Sequence, residues 1–215
     1  MNPSDMNPVL AATLADRQLL DHPFYRRWER GEVSIAELAE YAAQYRHFEG
    51  YLPTFLAKLV AGLPEGSARD LVAANLADEE GDPVPHVELF ESFAGAVGAE
   101  VDDATAATSG LLETYERLLA EGSVAALAGF AAYESQSSDV ARSKAEGLRC
   151  HYGLDDSGVS FWEHHAKVDA RHGAWAQRAM EECGQDPLEL APFARRAADA
   201  WWAFLDEREG AAQAV

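Results

Sequence analysis

The residues best suited to chemistry lie between Phe161 and Trp175, FWEHHAKVDARHGAW, where His165, Asp169 and His172 follow one another at steps of four and three. On a helix turning about 100° per residue, Asp169 falls about 40° to one side of His165 and His172 about 20° to the other. Three donor side chains therefore share one face, with His164 about 100° off it. Two imidazoles and a carboxylate so arranged form the facial set that holds non-haem iron with open coordination positions. A solvated helix face has the same look, so the motif gains weight only from partners elsewhere.

Two other segments offer such partners. Glu79 and His86 stand seven residues apart, one face of a continuous helix, but Gly81, Pro83 and Pro85 intervene and a kink must bring them together. Asp78, Glu79, Glu80, Asp82 and Glu88 crowd around His86, and spacing leaves open whether Glu79 or Glu80 faces it; a solvated acidic helix end is the alternative. Glu134 interrupts a run of Ala, Leu, Phe and Tyr133, so it enters apolar surroundings where a carboxylate must be protonated, paired or bound to a cation. The nearest bases in sequence, Arg142 and Lys144, are two to three turns away, and Lys144 alone reads as a surface lysine. Tyr41, Tyr45 and Phe48 make an aromatic face that suits core packing and would look the same lining a site.

Positioning these groups requires helices, and the apolar periodicity supplies them. A short entry pair covers 7–20 and 24–28, broken at His22-Pro23. Ser34, with Glu37 three residues on, opens a long helix by a capping box, continued through Pro53 towards Leu63. Further helices are expected over 67–80, 86–97, 103–121, 123–147, 159–183 and 188–208, with GAAQAV at 210–215 a frayed tail. No segment reads as a strand. The expectation is an all-α bundle of about seven to nine helices in one domain over 1–215.

Charge narrows the function. With 17 basic and 37 acidic residues the net charge is −20, which disfavours nucleic acid and anionic membrane surfaces as partners. No apolar run approaches the ~20 residues of a membrane span, and the N-terminus lacks a signal peptide's basic and apolar regions, so a cytoplasmic protein is expected. Cys150 and Cys183 are read as packed thiols. Paired ExxH, HExxH, Walker and GxSxG signatures are absent.

Taken together, E(x6)H, then YE within an apolar helix, then HxxxDxxH preceded by FW, resembles the haem-oxygenase-like diiron oxidases and oxygenases, relatives of the TenA and pyrroloquinoline-quinone synthase proteins. The likeness extends to HPFY near the start, NLADEEG before His86 and LRCHYGL before the HxxxDxxH helix. Within that family the CADD-like p-aminobenzoate synthases, thought to consume their own tyrosine, are most similar. The resemblance implies a haem-oxygenase-like (TenA-like) bundle and two metal ions, iron or mixed iron and manganese, held by Glu79, His86, Glu134, His165, Asp169 and His172. It also implies O2 and a reductant as co-substrates, and a homodimer. By the same resemblance Tyr25 is the sacrificed side chain, Tyr41 and Tyr133 are radical or positioning partners, and Lys144 donates the amino group. Two alternatives stand beside it: a diiron oxygenase acting on an external small amino acid, amine or fatty acid, and a non-catalytic acidic helical interaction protein.

Overall fold

The computed structural model describes residues 8–81 and 84–213, and among these there are nine α-helices and no strand. They are α1 (Pro8–Thr13), α2 (Pro23–Glu29), α3 (Ile35–Gly62), α4 (Ser67–Glu80), α5 (His86–Ala96), α6 (Ala106–Glu121), α7 (Ser123–Gly147), α8 (Asp156–Glu182) and α9 (Pro187–Gln213). A 3-10 turn at Leu19–Asp21 precedes α2, and a π turn at Leu148–Tyr152 follows α7. The all-α expectation holds.

Local chemistry sets most boundaries. In α2, Pro23 occupies the first turn and the His22 ring accepts from the Phe24 N–H. The Ser34–Glu37 capping box is formed in both directions, and α3 carries Pro53 within it. Two starts differ from expectation because caps set them. Thr105 accepts from the Thr108 N–H, so α6 begins at Ala106, and Asp155 accepts from the Gly158 N–H, so α8 begins three residues before Val159. At the other end of the chain, α9 runs five residues beyond Arg208.

Two glycines shape the approach to the site. Gly81 adopts φ +70° at the end of α4, where a Cβ would collide with the Val84 carbonyl just before α5. Gly147 lets Trp28 lie against α7, where its indole N–H donates to the Lys144 carbonyl at 3.3 Å. Asp82 and Pro83, part of the acidic group and the proline-rich turn read from the sequence, lie outside the described residues.

The core is built around α7, which packs along α8 and α9, while α8 also meets α4 and α5. Its largest fully buried side chains include Trp28, Tyr41, Tyr115, Phe161 and Trp201. Among the aromatic residues of α9, Trp201 and Phe204 are buried, whereas Phe193 and Trp202 are only partly so. No helix among the described residues is long and apolar enough to cross a membrane.

Candidate metal centre and lysine cage

Where α4, α5, α7 and α8 converge, six buried donors fall into two clusters. Glu79, from the last turn of α4, joins His86 at the start of α5 and His165 of α8; Glu134 of α7 joins Asp169 and His172 of α8. Within each cluster one donor atom per residue lies within 4.8 Å of the others. The turn at Gly81 thus does what the seven-residue spacing required: Glu79 Oε2 lies 2.9 Å from His86 Nδ1. Glu79 is buried and Glu80 exposed.

Hydrogen bonds orient the imidazoles. His165 Nδ1 donates to the Phe161 carbonyl at 2.9 Å, which leaves the Nε2 lone pair free. His172 Nε2 lies 2.7 Å from Asp78 Oδ2, an oxygen that Arg171 also reaches at 2.6 Å. On the ring's other side His172 Nδ1 stands 3.5 Å from Asp169 Oδ1 and 3.6 Å from Glu79 Oε1. Neither His172 Nδ1 nor Asp169 Oδ1 has a hydrogen-bond partner among the described residues, although both are buried.

Burial, with the neighbouring carboxylates Asp169 and Glu79, pushes the Glu134 carboxyl well above its usual range. Burial and Glu79 do the same to Asp169. At Glu79 burial also acts upward, but the His86 hydrogen bond and the nearby imidazoles outweigh it and hold the carboxyl low. Burial pushes His165 down to about 3, so its ring is neutral at ordinary pH. Unpartnered buried donors, crowded carboxylates and the neutral His165 ring are the features a bound cation would satisfy, and this mixed nitrogen and oxygen set suits iron.

Beside the clusters lies a buried lysine. Lys144 is only 3% exposed, so the surface reading fails. Sequence alone could not show that α2, α3 and α8 fold over it. Its ammonium nitrogen stands 3.9 Å from the Trp162 ring centre, 4.6 Å from that of Tyr25, 4.9 Å from Tyr41 and 5.0 Å from Tyr45. It donates to Tyr41 Oη at 2.6 Å, and Tyr41 Oη lies 2.9 Å from Tyr25 Oη. Burial drives the Lys144 pKa well below its usual value, against the opposing pull of Glu49 and Asp169. Tyr133 joins a second phenol pair instead, its Oη 2.6 Å from that of Tyr45, whose ring stacks on Tyr41 at 5.5 Å. Burial raises the pKa of all four phenols and keeps them protonated.

Three residues of this region escaped the sequence reading. Glu49 is 3% exposed on α3, and burial, followed by Glu79 and Asp169, raises its pKa well above normal. The signal for it existed, since the four-residue step from Tyr41 to Tyr45 lands next on Glu49. Asp78 belongs to the acidic helix end in sequence, and only the packing of α8 against α4 makes it the partner of His172. Tyr45 belongs to the aromatic stripe in sequence, and its bond to Tyr133 needs α7 beside α3. The packed-thiol reading also fails for Cys150, which is exposed on the π turn, while Cys183 is half-buried.

Residues 39–205 match the family of iron-containing redox enzymes. The chain is 34% identical to a 4-aminobenzoate synthase of Nitrosomonas europaea, over 90% of this chain and 86% of that protein. It is 28% identical to a 4-aminobenzoate synthase of Chlamydia muridarum, over 92% and 87%. Among solved structures, a TenA homologue from Pseudomonas syringae superposes with a TM-score of 0.82 at 13% identity, covering 98% of this chain and 96% of that one. A CADD-like protein from Nostoc punctiforme gives 0.74 at 19% identity, covering 93% and 96%. At such identities these structures speak for the haem-oxygenase-like fold alone. The matched sequence, which includes every residue of both donor clusters, decides the rest: this chain belongs to the iron-containing redox enzymes.

Proposed function

We propose that the chain forms 4-aminobenzoate from its own Tyr25 side chain, with Lys144 supplying the nitrogen. Two metal ions, iron or iron with manganese, would be held by Glu79, His86 and His165 and by Glu134, Asp169 and His172. The observation that carries this reading is the buried chain from Lys144 Nζ through Tyr41 Oη to Tyr25 Oη, with Asp169 close enough to act on the lysine's charge. Sequence relatives named 4-aminobenzoate synthase support the same product. Iron bound by these donors would supply the redox chemistry through which dioxygen and an external reductant, as co-substrates, become usable.

The chain's own groups suit the conversion. Comparing tyrosine with 4-aminobenzoate, the Cα–Cβ bond is cut, Cβ is oxidised to a carboxylate, and nitrogen replaces the phenol oxygen, which leaves as water; the Lys144 Cε–Nζ bond is cut in turn, with Cε oxidised to the aldehyde level and dioxygen as the electron acceptor. Burial that lowers the Lys144 pKa favours the neutral amine, which alone has the lone pair needed to form a carbon–nitrogen bond. Tyr41 holds that amine by its hydroxyl and Tyr25 by its neighbouring ring. The aromatic wall of Trp28, Trp162 and Phe24 keeps water from the phenol pair.

Iron-loaded protein, incubated with reductant and oxygen but no added substrate, tests the reading. Release of 4-aminobenzoate is expected, together with a matching loss of mass at Tyr25. Protein grown with 15N-lysine should yield 15N in the product, and Tyr25→Phe and Lys144→Arg should abolish it. Product from Tyr25→Phe would overturn the assignment of the ring, and unlabelled product that of the nitrogen. No product until a small molecule is added would favour an external substrate.

A further inference from the structure

His164 lies outside both donor clusters, yet its Nε2 stands 2.9 Å from His86 Nε2. The other two clustered imidazoles have their far nitrogens tied: His165 Nδ1 to the Phe161 carbonyl and His172 Nε2 to the Asp78 carboxylate. An anchored far nitrogen fixes the tautomer and ring orientation of a metal-binding histidine. For His86 the nitrogen beside Glu79 is Nδ1, so the far one is Nε2, and it points at His164.

We infer that His164 is a positioning residue for the metal site, accepting the Nε2 proton of His86 so that the Nδ1 lone pair faces the ion shared with Glu79 and His165. This inference rests on the proposed metal reading and deepens it. Without an ion the ring's proton sits on Nδ1, facing the Glu79 carboxylate; once Nδ1 gives its lone pair to a cation, Nε2 must carry the proton and act as donor. His164 must then present an unprotonated Nε2 and keep its own proton on Nδ1. The two rings meet nearly edge to face, with centres 4.6 Å apart and planes at 72°, which brings the facing nitrogens to hydrogen-bond distance. His164 and His165 are sequence neighbours, so one turn of α8 supplies a ligand candidate and the anchor of another. The partial burial of His164 also makes substitution tolerable to the fold.

Anaerobic titration with cobalt(II), followed by the visible absorption of the bound ion, tests this on the wild type, His164→Leu and His164→Gln. The glutamine amide oxygen reaches about as far as Nε2 and can accept the same hydrogen bond. Leucine should weaken one of two bound ions by about 10–100-fold, the usual cost of losing an outer hydrogen bond. Glutamine should restore wild-type affinity, and circular dichroism should show all three proteins equally helical. Equal cobalt affinity in wild type and the leucine variant would overturn the inference while leaving the metal reading intact. Loss of one ion in both variants would overturn it in favour of direct ligation by His164. A wild type that binds no cobalt would overturn the inference and the metal reading together.

Discussion

The two donor clusters lie side by side and differ in how far the protein satisfies them unaided. In the cluster of Glu79, His86 and His165, the Glu79 carboxylate meets His86, His86 meets His164, and His165 is tied to a carbonyl. In the cluster of Glu134, Asp169 and His172, Asp169 Oδ1 and His172 Nδ1 are buried without a hydrogen bond among the described residues, and the carboxyls of Glu134 and Asp169 are driven up. Among the described residues Glu134 has only Ser137, one turn away, as a hydrogen-bond donor, at 3.4 Å. The nitrogen-rich cluster is therefore preorganised by the fold, whereas the oxygen-rich one costs stability until a cation arrives.

Removing donors tests this most severely. Glu134→Ala should cut product formation by more than about 100-fold, beyond the usual cost of losing an outer-shell group. Metal analysis should nevertheless still find one ion per chain, held by the preorganised cluster. Loss of both ions together would show that the clusters act as a single unit. Next in size is Asp78→Ala, which frees the His172 ring and should weaken the ion at the oxygen-rich cluster by about 10–100-fold. Calorimetry would resolve the two ions, and an unchanged affinity would deny Asp78 its orienting part.

How much of this contrast sequence could carry depends on the kind of contact. The HxxxDxxH face was legible because donors and ligand geometry share one helix, and all three residues are buried in the structure. Ser34 and Glu37 were legible for the same reason, being three residues apart. Contacts across helices were not. The partnership of His164 with His86 depends on where α5 meets α8, and the cage around Lys144 needs α2, α3 and α8 at once. Asp78 looked like one carboxylate among several until α8 brought His172 to it. Periodicity marks the face that turns inward, but which inward faces meet is a property of the packed bundle.

Smaller effects on the metal-free protein sharpen the comparison by sign. His86→Ala strips the buried Glu79 carboxylate of its hydrogen bond and should destabilise by about 1–3 kcal/mol. Urea denaturation would measure it, and no loss of stability would mean the nitrogen-rich cluster is less preorganised than its geometry implies.

Glu134→Gln should do the reverse, because it removes a carboxylate the fold barely satisfies and keeps its shape, for a gain of about 1 kcal/mol near neutral pH. The sign follows from linkage. The native Glu134 pKa lies well above the ordinary value of 4.5, so the native state holds its proton to higher pH than the unfolded chain does. Below 4.5 both states are protonated and the wild type has its full stability. As pH rises through the native pKa that contribution disappears, so the advantage of glutamine should be small in acid and grow towards neutrality. A saturating divalent cation should invert the order: it stabilises the wild type by binding the carboxylate, and the glutamine variant offers it only a neutral oxygen. Denaturation midpoints at pH 4 and pH 7, with and without cobalt(II), give all four quantities. An advantage that is flat across pH would mean that Glu134 ionises as freely in the fold as in the unfolded chain, and the asymmetry between the two clusters would then have to rest on Asp169 and His172 alone.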